Sequence, residues 1–166
     1  FLDRHGITLP RPSKTKVIEL RDGVRVEGHY SNTDSDVWDL PIEYFKDVFF
    51  TDHAVQFIND HAKNADPFAL FVNIWAPHPP LTVPKPYATL FKPEDLDLPP
   101  NTGIPAHGEP PNRRQSVPAQ LAEGVTLEEW RNVWASHLGL TRLADDCFGR
   151  IIDALKQTGQ YCHQPL

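Results

Sequence analysis

From Asp39 to Lys63 the apolar side chains fall at Ile42, Phe45, Val48, Phe49, Val55, Ile58 and Ala62, a spacing that lines one face of a helix. Asp39 stands where a capping side chain is expected and Pro41 near a first helical position, so the pattern predicts an amphipathic helix ending near Lys63. Asn64 to Pro67 breaks it. The run Phe68-Ala-Leu-Phe-Val-Asn-Ile-Trp75 is almost continuously apolar, which predicts a buried strand parallel to its neighbours, because a strand covered on both faces loses its alternation. A second helix opens at Thr126-Leu-Glu-Glu129, a capping box worth roughly 1 kcal/mol at the cap. It continues through Trp130, Val133, Trp134, Leu138, Ala144, Cys147, Phe148, Ile151, Ile152 and Leu155, with Gly159 as the stop. Gly139 and Gly149 weaken so long a pattern, so a kink near Gly139, or close packing against a neighbouring backbone, is expected. Residues 1 to 36 are polar and irregular apart from Lys16-Val-Ile-Glu-Leu20 and Val24-Arg-Val26, which flank Asp22-Gly23 as a short hairpin.

Between Pro77 and Pro118 lie most of the 17 prolines, which leaves little room there for helix interior or central strand. This segment is expected as a long, stiff, proline-rich loop that covers a site or packs as an ordered excursion, a candidate binding wall, with a surface linker as the alternative. The order helix, strand, loop, helix is that of an α/β fold with helices packed on a mostly parallel sheet, but one strand cannot make a sheet. Residues 1 to 166 are therefore expected to form a single partial domain, incomplete in this chain. A start at Phe1 and the lack of any Met point the same way, toward a piece of a longer polypeptide.

Composition narrows the partners. The formal charge is -6 and the pI about 5.7, which argues against an electrostatic binder of nucleic acid or of a membrane surface. No apolar run approaches the roughly 20 residues of a spanning helix. Cys147 and Cys162 are expected as reduced thiols, one disulfide between them being the alternative.

Several site types lack their motifs: there is no glycine-rich phosphate loop, no His-Glu-x-x-His, no Cys-x-x-Cys and no Gly-x-Ser-x-Gly. Seven of the eight histidines, His5, His29, His53, His61, His107, His137 and His163, show no ligand spacing and are expected to be solvated or to cap backbone. His78 differs. It follows the C-terminal end of the expected strand, within Trp75-Ala-Pro-His-Pro-Pro80, and open α/β sheets bind ligands at that edge. Prolines on both sides restrict its backbone, and an imidazole held there could donate to an anionic oxygen or protonate a leaving group, a loop histidine bonded to backbone being the alternative.

The segment Pro67-Phe-Ala-Leu-Phe-Val-Asn-Ile-Trp-Ala-Pro-His-Pro-Pro-Leu81, with Val83-Pro-Lys-Pro-Tyr87, Pro93-Glu-Asp-Leu96 and Leu98-Pro-Pro-Asn101, resembles the central part of type I sulfatases of the alkaline phosphatase superfamily. Phe49-Phe-Thr-Asp52 upstream and Leu143-Ala-Asp-Asp146 with Gly149-Arg-Ile-Ile-Asp-Ala-Leu155 downstream extend the likeness over roughly residues 40 to 160. The resemblance implies an alkaline-phosphatase-like fold, a sulfuric ester hydrolase as the parent activity, and a role for His78 against the sulfate near the leaving oxygen. It also implies calcium and a formylglycine, although no Cys-x-Pro-x-Arg motif and no early Asp-Asp pair stand in this sequence, so no metal ligand is assigned. Asp145 and Asp146 match a late helix of the family, where a structural role is expected. Arg113 and Arg114, adjacent in the proline-rich loop, are candidates to help select a small-molecule or carbohydrate sulfate ester. The remainder of the parent polypeptide is the expected partner, and this chain alone is expected to be inactive. A phosphonate or phosphate ester hydrolase of the same superfamily is one alternative, and a non-catalytic binding module or fragment is another.

Overall fold

The structure, a computed structural model, describes residues 2–8, 16–29, 33–64 and 66–161. Strands β1 (Lys16–Arg21) and β2 (Val24–His29) form the expected antiparallel hairpin. Its two-residue turn places Asp22 at φ 50° and Gly23 at φ 79°, the left-handed pair that matches the twist of the flanking strands.

Two features of the first helix differ from expectation. A 3-10 turn over Ile42–Tyr44 precedes helix α1 (Lys46–His61), and Asp39 caps nothing but pairs with Lys85. Phe45 explains the break: it is extended, with ψ 127°, and buried edge-on against Trp38 with ring centroids 5.4 Å apart. Packing of that pair outweighs the uninterrupted helical run that the spacing alone suggests.

The parallel pairing arises elsewhere than expected. Strand β3 (Ser35–Trp38) lies in parallel register with β4 (Leu81–Pro84), Val37 opposite Val83. Leu81, Val83 and Pro84 are all buried, so a strand forms within the proline-rich segment; Pro84 ends it, where a missing N–H costs least. The rest of that segment carries short helices: α2 (Lys85–Ala88), a 3-10 turn at Pro93–Asp95, α3 (Pro111–Arg114) and the start of α4 (Val117–Ala122).

The buried strand expected over Phe68–Trp75 does not form among the described residues. This run pairs with no strand, and Phe71 is 89% exposed. From Phe71 onward the side chains alternate: Val72, Ile74 and Ala76 are half-buried, while Phe71, Asn73 and Trp75 are exposed. Ladder hydrogen bonds need a neighbouring edge, and no described strand pairs with this run, so it keeps a period of two without a partner.

Helix α5 (Leu127–Gln157) organises the whole. The capping box is present in both directions: Thr126 N–H donates to Glu129 at 2.7 Å, and Glu129 N–H donates to Thr126 Oγ1 at 3.2 Å. Gly159, at φ 72°, follows its end. The helix runs on without interruption through Gly139, and close packing is what that glycine serves: a Cβ there would lie 2.7 Å from the Tyr87 carbonyl oxygen and 3.1 Å from Val83. Leu140, Leu143 and Cys147 of α5 join Trp38, Phe45, Val48, Leu81 and Val83 in the core. Arg150 reaches across to Asp52 of α1.

Candidate functional site

The turn after Trp75 is built around a buried carboxylate. Asp47, in the first turn of α1 and 1% exposed, accepts the Trp75 N–H at 2.8 Å through one oxygen and the Ala76 N–H at 3.0 Å through the other. One side chain thus clamps two successive backbone donors at the entrance to Pro77-His78-Pro79. Its own backbone carbonyl accepts from the Thr51 hydroxyl at 2.7 Å, and Cys147 Sγ of α5 lies 3.9 Å from the same oxygen. The clamp is therefore set between α1 and α5, with no freedom to follow the loop. Burial pushes the Cys147 thiol up, which keeps it protonated there; Cys147 is free, and Cys162 lies outside the described residues.

Beyond the clamp, the chain folds tightly. The peptide bonds Ala76–Pro77 and Pro79–Pro80 are cis, and His78 N–H donates to the Trp75 carbonyl at 2.9 Å. His78 Nδ1 lies 2.6 Å from the Pro79 carbonyl oxygen. A carbonyl only accepts, so Nδ1 carries the proton and the exposed Nε2 is the atom left for chemistry. Trp75 Nε1 donates to the same oxygen at 3.3 Å, and the Trp75 and His78 rings meet at 4.4 Å. Lys46 Nζ sits 4.4 Å from the Trp75 ring centroid; partial burial lowers its pKa, partly offset by the Asp47 carboxylate. The imidazole is thus oriented by the Pro79 carbonyl and the indole of Trp75, the residue whose backbone N–H Asp47 holds.

His78 forms part of the wall of a cleft of about 670 Å³. One side comes from the proline-rich segment: Pro77, Pro79, Leu81, Leu98, Pro99, Thr102 and Gly103. The other is a face of α5, where Trp130, Val133, Trp134 and His137 recur at i, i+3, i+4 and i+7. Arg131 ties the two sides together by donating to the Leu96 carbonyl at 3.3 Å. Trp130, Val133 and Trp134 are expected from the sequence only as positions of a helical stripe, and His137 as solvated or capping backbone. The helical spacing was legible, but which face would meet a cleft was not.

The other residues singled out lie elsewhere. Arg113 and Arg114 are exposed on α3; Arg113 pairs with Glu109 at 3.0 Å, and neither lines the cleft with His78. His53 and His61 bond backbone carbonyls of Phe49 and Asp66, each at 2.9 Å. Asp146 accepts from Arg142 at 2.8 Å and from the Tyr87 hydroxyl at 3.0 Å, joining α5 to α2. Asp47, Lys46 and the two tryptophans of α5 are the site residues that inspection of motifs missed.

An imidazole in a tight turn beside a cleft, with helices flanking a parallel strand pair, is a partial α/β arrangement. The chain belongs to the Sulfatase family, whose model matches residues 13–162. It is 29% identical over 135 residues to a multifunctional alkaline phosphatase superfamily protein of Trinickia caryophylli, covering 74% of this chain and 26% of that protein. A sulfatase of Formosa agariphila is 28% identical over 140 residues, 80% of this chain and 27% of its own length. Human iduronate 2-sulfatase is 28% identical over 133 residues, 72% of this chain and 24% of its own length. The chain thus spans about a quarter of the length of these relatives. The family generally uses calcium and a formylglycine. Among the described residues no three or more His, Cys, Asp or Glu side chains come together to hold a metal ion, so they do not fit a calcium site and no step below runs through one. No helix described here is long and apolar enough to cross a membrane.

Proposed function

We propose that this chain supplies the leaving-group side of a sulfuric ester hydrolase, with His78 as the group that protonates the departing oxygen. The observation that carries the reading is the 2.6 Å contact between His78 Nδ1 and the Pro79 carbonyl, which leaves Nε2 as the ring nitrogen available on a side chain that lines the cleft. As a nucleophile from the remainder of the parent polypeptide forms a bond to sulfur, the bond from sulfur to the leaving oxygen breaks and its electron pair stays on that oxygen. The imidazolium gives that oxygen its Nε2 proton and becomes a neutral imidazole, while Nδ1–H stays on Pro79. Asp47 acts as a positioning residue and touches neither sulfur nor oxygen. Arg113 and Arg114, away from the cleft and partly committed to Glu109, are not needed by this step.

A general acid contributes about 10²–10⁴-fold, and most when the leaving oxygen is basic. In the native protein His78→Gln is expected to slow hydrolysis of an alkyl sulfate within that range, and to slow 4-nitrophenyl sulfate, whose leaving oxygen needs little help, far less. Equal losses on both esters would sink the role. The similarity to an alkaline phosphatase superfamily protein described as multifunctional supports one second reading, a phosphate or phosphonate ester hydrolase using the same imidazole. Cleavage of phenyl phosphate or a phenyl phosphonate without cleavage of any sulfate ester would select it.

A further inference from the structure

We infer that the cleft between the proline-rich segment and α5 is a subsite for a planar, largely apolar leaving group, an aryl ring rather than a sugar. The inference rests on the reading of His78 as the leaving-group acid, since His78 stands in the wall of the same cleft.

Three features of the wall carry it. Its volume, about 670 Å³, falls in the range of small-molecule sites and holds an aryl group with room to spare. Its surface is almost wholly carbon: three prolines, two leucines, a valine and the rings of Trp130 and Trp134. Trp130 Nε1 is buried, with no hydrogen-bond partner among the described residues, and so presents no solvent-accessible donor to the wall. A pyranose needs several hydroxyl partners in its site, and this wall offers few beyond Thr102 and the two histidines. A flat ring asks only for area and faces to stack on, which the tryptophans supply. Trp134 and His137 lie nearly parallel, with ring centroids 5.5 Å apart at 10°, so the imidazole flanks the indole in the cleft wall.

Equilibrium dialysis of the protein against phenol, cyclohexanol, methyl glucoside and inorganic sulfate tests this without turnover. Phenol is expected to bind at millimolar concentration, cyclohexanol at least threefold more weakly and methyl glucoside not measurably. Trp134→Ala is expected to weaken phenol about tenfold, and Val133→Asp, a milder change in bulk that brings charge into the same wall, should do likewise if the first variant does not fold. Phenol that fails to bind, binds no better than methyl glucoside, or binds equally to folded variants overturns the subsite. The reading of His78 is judged separately by ester hydrolysis with the whole native protein: phenol bound in the cleft with no sulfate ester cleaved keeps the subsite and removes the reading of His78, whereas sulfate esters cleaved with glycoside sulfates preferred over aryl sulfates does the reverse.

Discussion

Helix α5 presents two faces that obey opposite rules. Toward the core it places its smallest side chains where packing is closest, with Gly139 under the Tyr87 carbonyl and Cys147 beside Asp47. Toward the cleft it places its largest, Trp130 and Trp134, and leaves space in front of them. The closed face needs small residues so that α5, α1 and β4 can approach and carry the clamp on the His78 turn. The open face needs large rigid ones because a ligand, not a neighbouring helix, completes its contacts. Side-chain size along one helix therefore separates the scaffold from the binding wall.

The strongest way to break the closed face is at its buried charge. Asp47→Ala leaves two backbone N–H groups of the turn unpaired, and two hydrogen bonds to a charged acceptor make the expected cost roughly 3–6 kcal/mol in urea unfolding. Asp47→Asn, which keeps one acceptor oxygen, should lose clearly less. A cost for Asp47→Ala under about 1 kcal/mol would mean that the clamp does not hold the turn.

The two glycines of α5 sharpen the contrast. Gly139→Ala drives a methyl to 2.7 Å from a carbonyl oxygen and should destabilise by about 1–3 kcal/mol. Gly149→Ala meets nothing within 4 Å and should stabilise by about 0.5–1 kcal/mol through backbone entropy alone. Thermal melts of the two variants that moved in the same direction would contradict the assignment of faces.

The smallest effect concerns pH. Burial, with help from the hydrogen bond to Asp146, pushes Tyr87 from an ordinary value of 10.0 up to about 12. Because the native state holds this proton more tightly than the unfolded chain, the contribution is present in full below pH 10 and is lost as pH rises toward 12. Tyr87→Phe, which removes the hydrogen bond to Asp146, should lower stability at neutral pH and flatten the alkaline limb of a stability profile.

Local signals were legible where a residue answers to its near neighbours. Asp22-Gly23 specifies its turn by backbone conformation, Thr126 and Glu129 cap each other three residues apart, and Gly159 ends the helix, all without reference to the rest of the chain. His78 was legible as a candidate because prolines surround it and an apolar run leads to it. The pairing of β3 with β4 was not, since two four-residue segments separated by more than 40 residues carry no local signature, and the prolines argued against the second. Phe68–Trp75 shows the converse: its composition suits a buried strand, yet composition supplies no partner.

By itself, then, the sequence determined the turns, the caps, the helical stripes and the chemical identity of His78, since those follow from neighbouring residues and from intrinsic backbone preferences. Tertiary structure alone decided that Asp47 grips the turn from 28 residues away, that Gly139 serves an approach rather than a kink, and that the tryptophan stripe of α5 faces a cleft. These depend on which surfaces meet, and burial energy is shared among elements that sequence spacing does not bring together.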